Sequence, residues 1–298
     1  MRLRWEAPDG DSLEVNRVKA DPSAPRVLLL HGLEGSIRSH YAAGLLDLVR
    51  SLGWGADLLS FRGCGDEPNA ARRFYHSGET TDLAFVLQRI VDEFPKAPIA
   101  VVGYSLGGNV LLKYLGERGT DVPDRVLAAA AVSVPFDLEA GSRFISTGFS
   151  HVYDRHFLSS LRRKAFAKLD RYPDLFDRAA VERATTLFDF DNAVTAPVHG
   201  FADAQDYYAR SSSRHFLGDI RVPTLLLSSY DDPFLPPHVL REVEKVATAN
   251  PWLESEFTAR GGHVGFIDGV VPWRPRYYAE WRVMDYFRRA FERRSSGE

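Results

Sequence analysis

The amino-acid sequence predicts an α/β fold, in which a mostly parallel sheet carries helices on both faces and a helical cap is inserted into the sheet-based core. Short apolar runs alternate with helical patterns, and that alternation is typical of βαβ units. The apolar runs lack polar alternation, as expected of parallel strands that helices cover on both faces. A long helical stretch without a buried strand then interrupts the order, which predicts the cap.

The size and composition of the chain fit an ordinary globular protein. It has 298 residues, of which 45% are hydrophobic and 26% are charged. The net charge of −3 gives no reason to expect a nucleic acid or an anionic membrane as a partner. The single cysteine, Cys64, excludes an internal disulfide and suits a reducing compartment. The sequence shows neither a signal-peptide run nor ~20 consecutive apolar residues, so we expect a cytoplasmic protein without a transmembrane segment. It leaves the oligomeric state open.

The first part of the chain predicts a hairpin followed by four buried strands with helices between them. Residues 3–6 and 12–15 flank Asp9-Gly10, a dipeptide typical of hairpin turns. The predicted buried strands are Arg26–Leu30, Ala56–Leu59, Ile99–Val102 and Val126–Val134, and the predicted helices are His40–Leu52, Thr80–Glu93 and Leu106–Glu117. This order predicts the parallel centre of the sheet.

The strand–helix order returns after the interruption. The predicted elements are a strand at Val222–Leu227, a helix near His238–Ala249, a polar strand near Leu253–Thr258 and a final helix from about Pro275. One stripe of the final helix is its predicted core face and contains Tyr277, Trp281, Met284, Phe287 and Phe291. We therefore expect residues 1–136 and 214–298 to form the core and residues 137–213 to form the cap.

A serine lies between glycines in Gly103-Tyr104-Ser105-Leu106-Gly107. Small residues two positions before and after a serine permit a sharp strand-to-helix turn that exposes the hydroxyl above the sheet. The G-x-S-x-G pattern alone is weak evidence for a nucleophile. A glycine-rich loop whose serine caps a helix has the same sequence pattern. The buried strand before it and the helical pattern after it favour the nucleophile of an α/β-hydrolase fold.

A serine nucleophile requires a histidine base and an acid that orients the base. In α/β-hydrolases these residues follow in the order serine, acid, histidine, and among nine histidines only His263 lies after the last predicted strand. Two adjacent aspartates follow the strand that should carry the acid. We favour Asp232, which stands before Pro-Phe-Leu-Pro, and we expect Asp231 to brace the turn through backbone amides.

Acyl transfer also requires hydrogen-bond donors for the developing oxyanion. The amide of Leu106 follows the nucleophile and lies at a predicted helix N-terminus, which favours negative charge. The second donor should come from the loop after the first buried strand. In that loop His31-Gly32-Leu33 suggests the amide of Leu33.

Further motifs extend over about residues 26 to 270, nearly the whole chain. They are His31-Gly32-Leu33-Glu34-Gly35-Ser36, Phe61-Arg62-Gly63-Cys64-Gly65, Tyr75-His76-Ser77-Gly78-Glu79-Thr80, Gly103-Tyr104-Ser105-Leu106-Gly107-Gly108-Asn109, Phe188-Asp189-Phe190-Asp191, Thr195-Ala196-Pro197-Val198-His199-Gly200-Phe201, Asp231-Asp232-Pro233-Phe234 and Gly261-Gly262-His263-Val264-Gly265-Phe266. With these motifs the chain resembles the YheT-like α/β-hydrolases, which are related to embryogenesis-associated proteins of plants and lipid-acting abhydrolase-domain proteins of animals. The resemblance implies a triad of Ser105, Asp232 and His263, with no metal or organic cofactor.

The sequence thus predicts a serine esterase that cleaves short- to medium-chain carboxylic esters through an acyl-enzyme. Its expected partner is a small-molecule ester. An acyltransferase would use the same residues and differ only in admitting an alcohol instead of water to the acyl-enzyme. A lipid or phospholipid hydrolase and a non-catalytic binding protein are the remaining alternatives.

Apolar residues cluster early in the predicted cap and are candidates for the wall of a substrate pocket. They are Phe144, Ile145, Phe149, Val152, Tyr153 and Phe157. A cap over the end of the sheet would make them select the acyl chain. The alternative is that they only attach the cap to the core.

Overall fold

The computed structural model describes residues 1–268 and 276–296, and an eight-stranded sheet lies at its centre. In chain order the strands are β1 (Arg2–Glu6), β2 (Ser12–Val18), β3 (Arg26–Leu30), β4 (Gly55–Ser60), β5 (Ile99–Tyr104), β6 (Val126–Val132), β7 (Thr224–Ser229) and β8 (Leu253–Thr258). Their order across the sheet is β1-β2-β4-β3-β5-β6-β7-β8. Strand β2 runs antiparallel to β1 and β4, and the other neighbouring strands are parallel. The predicted fold class is confirmed.

The described α-helices and one short pair of strands lie outside the central sheet. The helices are α1 (His40–Ser51), α2 (Thr81–Glu93), α3 (Leu106–Arg118), α4 (Leu138–Ile145), α5 (His151–Arg171), α6 (Arg178–Arg183), α7 (Leu187–Phe190), α8 (Ala196–His199), α9 (Ala204–Ser211), α10 (Pro237–Ala249) and α11 (Tyr278–Ser296). The short strands β9 (Ile267–Asp268) and β10 (Arg276–Tyr277) pair antiparallel. Within the described ranges, no helix combines the length and hydrophobicity that crossing a bilayer requires.

The central strands are buried on both sides, because successive side chains of a strand point to opposite faces. In β3, Leu28 and Leu30 belong to one hydrophobic core, which also contains residues of α2, α3 and α10. Val27 and Leu29 belong to a second core, with residues of α1 and α11. This double coverage explains why the strand sequences lack polar alternation.

The segment between β6 and β7 contains α4 to α9 and a π-helical segment, Asp191–Thr195, but no strand among its described residues. Part of it has its own small core, in which Leu158 of α5 packs with Phe190 and Val194. The C-terminal end of this segment is attached to α3 by Asn109, whose side-chain amide donates to the carbonyl oxygen of Ser211 at 2.8 Å. The same amide donates to the carbonyl oxygen of Ser77 at 2.8 Å. The division at residues 137–213 stays a prediction, and this helical segment is called the cap below.

The final helix differs in part from the sequence-based expectation. Its predicted start near Pro275 lies outside the described residues, and α11 begins at Tyr278. Met284, Phe287 and Phe291 are buried as expected, whereas Tyr277 is 44% exposed and Trp281 is 56% exposed. Tyr277 precedes the helix and belongs to β10. The buried stripe instead begins with Ala279 and continues through Val283, so the predicted stripe was wrong in its first turn.

One buried carboxyl group of α11 leads to a prediction about stability. Glu280 is only 1% exposed, and its Oε2 has no hydrogen-bond partner among the described residues. Burial raises its pKa from the ordinary value of 4.5 to about 7. The unfolded chain therefore ionises this group at lower pH than the folded protein, so stability should fall as the pH rises from about 4.5 to about 7.

Glu280→Gln should remove this pH dependence, because its amide stays neutral. The variant's unfolding free energy relative to that of the wild type should therefore be higher at pH 8 than at pH 5, by up to about 3 kcal/mol. Urea unfolding of both proteins at the two pH values measures the gain. Glu242→Gln is the matched control, because Glu242 is exposed. An equal gain in the control would contradict the explanation.

Candidate active site

Ser105 lies at the sharp turn between β5 and α3. Its φ angle is 51°, an uncommon value for a residue with a side chain and one that serine nucleophiles on strained turns adopt. The turn requires a close approach of α3 to β3, since a Cβ on Gly107 would lie 2.5 Å from the carbonyl oxygen of His31. The glycines around Ser105 therefore have a steric cause, and the turn places the serine hydroxyl at the C-terminal edge of the sheet.

The structure brings Ser105, His263 and Asp232 together. Ser105 Oγ lies 3.1 Å from His263 Nε2, and His263 Nδ1 lies 2.8 Å from Asp232 Oδ2. The Asp232 side chain is fully buried, and its Oδ1 accepts a hydrogen bond from the Phe234 amide at 2.8 Å. A buried carboxylate at Nδ1 favours the tautomer whose Nε2 is free to accept the serine proton. The arrangement can therefore activate the hydroxyl of Ser105.

Asp231 holds the loop that carries His263. Its Oδ1 accepts hydrogen bonds from the amides of Gly261 at 2.8 Å and Gly262 at 2.9 Å. Although desolvation by burial raises its pKa, hydrogen bonds that include these two amides lower it below the ordinary value. Ser133 Oγ accepts a further bond from the Val264 amide at 3.2 Å. The two adjacent aspartates thus have different environments, one facing the histidine ring and the other facing the histidine loop.

Leu33 and Leu106, whose amides were predicted to bind the oxyanion, both line the cavity next to Ser105. In the described part of the chain, neither amide donates a hydrogen bond to another protein group. The amide of Glu34, one residue beyond Leu33, instead donates to the Tyr75 hydroxyl at 2.9 Å. Two amides without protein acceptors beside a nucleophile are the donors that an oxyanion needs.

His31 fixes the loop that contains Leu33, a role that the sequence reasoning missed. Its Nε2 accepts a hydrogen bond from the Phe61 amide at 3.1 Å, so the proton lies on Nδ1, which donates to the Gly32 carbonyl at 2.7 Å. Burial lowers the pKa of His31 to about 4, so the ring stays neutral. His31 is therefore a positioning residue, and its place between β3 and Gly32 was the available signal.

A partly buried ion pair connects the same loop to the cap. Glu34 Oε1 accepts hydrogen bonds from Lys164 Nζ at 2.8 Å and from the Tyr75 hydroxyl at 2.9 Å, and Oε2 accepts one from the Ser160 hydroxyl at 2.5 Å. Lys164 and Ser160 belong to α5 of the cap. Burial raises the pKa of the neighbouring Cys64 thiol to about 11, which keeps the thiol protonated. The cap and the loop that contains Leu33 are thus joined through one carboxylate.

A cavity of about 350 Å³ opens beside Ser105 and His263. Cap residues Ile145 and Phe157 belong to its wall. Phe234, which the sequence reasoning did not select, also lines the cavity, and its ring centroid lies 4.2 Å from that of His263. The cavity therefore lies between the core and the cap, with the candidate triad on its core side.

Three other apolar residues of the early cap, Phe144, Val152 and Tyr153, do not contribute to this wall. Phe144 and Tyr153 lie outside it, and Tyr153 packs against Phe234 with ring centroids 5.0 Å apart. Val152 is 61% exposed and Tyr153 is 45% exposed. The side chain of Phe149 lies outside the described part of the structure. The helical repeat explains the difference, because neighbouring residues of one helix point in different directions.

No group of three or more histidine, cysteine, aspartate or glutamate residues in the described part of the chain is arranged to hold a metal ion. The other polar groups in the cavity wall include Tyr75, His76, Asp191 and His199. They come from segments far apart in the sequence, so periodicity within one element could not identify them. Three of the motifs that carry the family resemblance do contain these residues.

Comparison with protein families matches residues 25–270 to the model of the alpha/beta hydrolase fold. The chain is 41% identical to the protein named "Putative esterase YheT" of Escherichia coli (strain K12), over 98% of this chain and 86% of that protein. It is 31% identical to phospholipase ABHD3 of Mus musculus and 28% identical to a monoacylglycerol lipase of Saccharomyces cerevisiae. The chain spans 61% of the length of each of these two relatives.

Solved structures agree on the fold. The esterase Pf2001 of Pyrococcus furiosus superimposes with a TM-score of 0.65 over 97% of this chain and 90% of that chain, at 17% sequence identity. An esterase of Thermogutta terrifontis gives a TM-score of 0.57 at 18% identity, over 97% of this chain and 99% of that chain. At such low identity the likeness concerns the architecture alone.

Proposed function

The chain belongs to the alpha/beta hydrolase fold family, and from that premise we propose that it cleaves carboxylic esters with Ser105 as the nucleophile. One observation carries the proposal, the continuous hydrogen-bonded series from Ser105 through His263 to Asp232 in the wall of a cavity. Similarity to proteins that are named esterases supports ester hydrolysis in general. The acyl-enzyme route and the chain-length range are the finer parts of the proposal.

The proposed reaction has two halves. His263 Nε2 takes the proton of Ser105 while Oγ attacks the ester carbonyl, and the amides of Leu33 and Leu106 bind the oxyanion. The imidazolium, stabilised by Asp232, then gives the proton to the departing alcohol. Water, activated by the same histidine, next attacks the acyl-enzyme, and the collapse of the second tetrahedral intermediate releases the acid and restores Ser105.

The cavity supports esters of small to medium size. Its volume of about 350 Å³ lies near the lower end of the range for small-molecule sites, which is about 300–1,000 Å³. Apolar side chains such as Ile145, Phe157 and Phe234 form much of its wall and suit an alkyl chain. We therefore propose short- to medium-chain acyl esters as substrates.

A panel of p-nitrophenyl esters of graded chain length tests the proposal. The wild-type protein should release p-nitrophenol, and a fluorophosphonate probe should stop the reaction by adding to the peptide that contains Ser105. Peptide mass spectrometry locates the addition. Absence of turnover with every ester, or a probe attached at another residue, would overturn the proposed function.

The cap wall should set the preferred chain length. Phe157→Ala enlarges the cavity, so we expect the optimum of kcat/KM to move toward longer acyl chains. Each added methylene that finds apolar wall should contribute up to about 0.8 kcal/mol, or about fourfold in kcat/KM. The same ester panel measures the shift.

Tyr153→Ala provides the control for Phe157→Ala. Tyr153 is an aromatic residue of the same helix, but it lies outside the cavity wall. Its truncation should change stability without changing the chain-length profile. An identical profile for wild type and Phe157→Ala would show that Phe157 only attaches the cap to the core.

A further inference from the structure

The cap side of the cavity contains a carboxyl group that the proposed reaction does not use. Asp191 begins the π-helical segment and lines the cavity. Its Oδ2 accepts a hydrogen bond from the Tyr208 hydroxyl at 2.7 Å, and its Oδ1 accepts one from the Thr195 hydroxyl at 2.5 Å. Segments of π-helix are rare and often occur at functional sites. Asp191 therefore requires an explanation.

The surroundings of Asp191 are unfavourable for a carboxylate. Apolar residues Leu187, Phe190 and Val194 line the cavity nearby. Burial raises the pKa of Asp191 to about 6, although the hydrogen bonds from Thr195 and Tyr208 oppose the increase. The two oxygens of a carboxylate can together accept about four hydrogen bonds. Described protein groups supply one to each oxygen, so the carboxyl group keeps acceptor capacity for a molecule in the cavity.

His199 is a second polar group of the same cavity wall. Its Nε2 is buried and has no hydrogen-bond partner among the described residues. Burial lowers the pKa of His199 to about 4, so the ring is neutral and offers one donor and one acceptor nitrogen. A buried ring nitrogen without a partner costs free energy, which a bound polar group would recover.

We propose that Asp191 and His199 form a polar subsite that binds a hydroxyl group of the substrate. A hydroxyl suits either group, because it donates to a carboxylate and can also accept from an imidazole N–H. The inference rests on the proposed function and narrows its substrate class to esters that carry a hydroxyl away from the reacting carbonyl. An analogue without the hydroxyl would leave the His199 nitrogen without a partner and the remaining acceptor capacity of Asp191 unused, and a site built to bind a hydroxyl discriminates strongly against such an analogue.

A purely structural role for Asp191 would be to hold α9 within the cap through Tyr208. Asp154 allows this role to be tested separately. Asp154 is a fully buried cap carboxylate that accepts hydrogen bonds from the Ser146 hydroxyl at 2.8 Å and the Leu187 amide at 3.1 Å. It is not part of the cavity wall. Asp154→Asn therefore changes a buried cap carboxyl group that lies outside the cavity wall and contacts neither Asp191 nor His199 among the described hydrogen bonds.

The experiment compares kcat/KM for matched pairs of esters. One pair is p-nitrophenyl 6-hydroxyhexanoate and p-nitrophenyl hexanoate, with the hydroxyl in the acyl part. The other is 2-hydroxyethyl hexanoate and ethyl hexanoate, with the hydroxyl in the alcohol part. The ratio within a pair does not depend on the fraction of folded enzyme, because both esters are assayed on one preparation.

In one of the two pairs, we expect the wild-type kcat/KM to be about 10- to 100-fold higher for the hydroxylated ester. This factor corresponds to the free energy of a hydrogen bond to a charged group. In Asp191→Leu the ratio should fall to about one, and in Asp154→Asn it should equal the wild-type ratio. His199→Phe should reduce the ratio severalfold. If Asp191→Leu does not fold, the ratio in His199→Phe tests the polar subsite in its place.

Two results would overturn the polar subsite, namely a wild-type ratio near one in both pairs, or a ratio that Asp191→Leu and His199→Phe leave unchanged. In either case, Ser105-dependent cleavage of p-nitrophenyl hexanoate would still support the proposed function. Absence of all ester cleavage would overturn both. The two failures are therefore distinguishable in one set of assays.

Discussion

Ser105→Ala and His263→Ala are each expected to lower kcat for p-nitrophenyl esters by about 10⁴- to 10⁶-fold while the protein remains folded. Without Oγ no acyl-enzyme can form, and without the imidazole the hydroxyl keeps its proton at neutral pH. The double variant should be about as active as either single variant, because the residues act as a unit. Steady-state rates, with circular dichroism to verify folding, measure both effects.

Ser39→Ala is the matched control for the loss of a serine hydroxyl. Ser39 also lines the cavity, but its Oγ accepts a hydrogen bond from the Ser36 amide rather than contacting a histidine. This variant should stay within about tenfold of the wild-type kcat, a far smaller loss than the removal of a triad member. Ester turnover at the wild-type rate by purified Ser105→Ala would end the proposed assignment of the nucleophile.

Asp232→Asn is expected to lower kcat by about 10⁴-fold. The carboxylate accepts the Nδ1 proton of His263, whereas an asparagine amide can donate to that nitrogen and move the proton to Nε2. Nε2 could then no longer take the proton of Ser105. The side chain is fully buried, so water does not take over the role of the lost acceptor. The pH–rate profile of the residual activity and the folding midpoint should be measured together.

Asp231→Asn is the comparison that distinguishes the two aspartates. The asparagine carbonyl can still accept from the amides of Gly261 and Gly262, so we expect a small loss of kcat, within about tenfold. The weaker hydrogen bonds should lower the melting temperature by a few degrees. If Asp231→Asn lost the activity and Asp232→Asn kept it, the proposed roles of the two residues would have to be exchanged.

Local patterns predicted the sheet because each central strand is a short apolar run between turn residues. The order of β5, β7 and β8 then placed Ser105, Asp232 and His263 at one edge of the sheet, where the structure brings them together. The chain order of a known fold, rather than any contact visible in the sequence, supplied that information. A catalytic role for the three residues stays a proposal until the variants are assayed.

The cavity wall could not be predicted in the same way, because it combines residues from many separate segments. Phe234 follows β7 in the core and Asp191 lies in the cap, and neither belongs to a periodic apolar pattern. The early cap residues were selected for hydrophobicity without knowledge of the helix phase, so Tyr153 was included although it faces outward. The π-helical turn at Asp191 has no sequence signature and changes the direction of the following side chains.

The ion pair between Glu34 and Lys164 restricts how the insertion can be exchanged among related proteins. A transplanted cap without a cation at the position of Lys164 would leave the partly buried carboxylate of Glu34 without its counter-ion, which should destabilise the protein by less than the roughly 3–5 kcal/mol typical of a fully buried pair. The same graft would loosen the backbone beside Leu33. New substrate preferences obtained by recombination therefore require that the cap and the loop after β3 be inherited together.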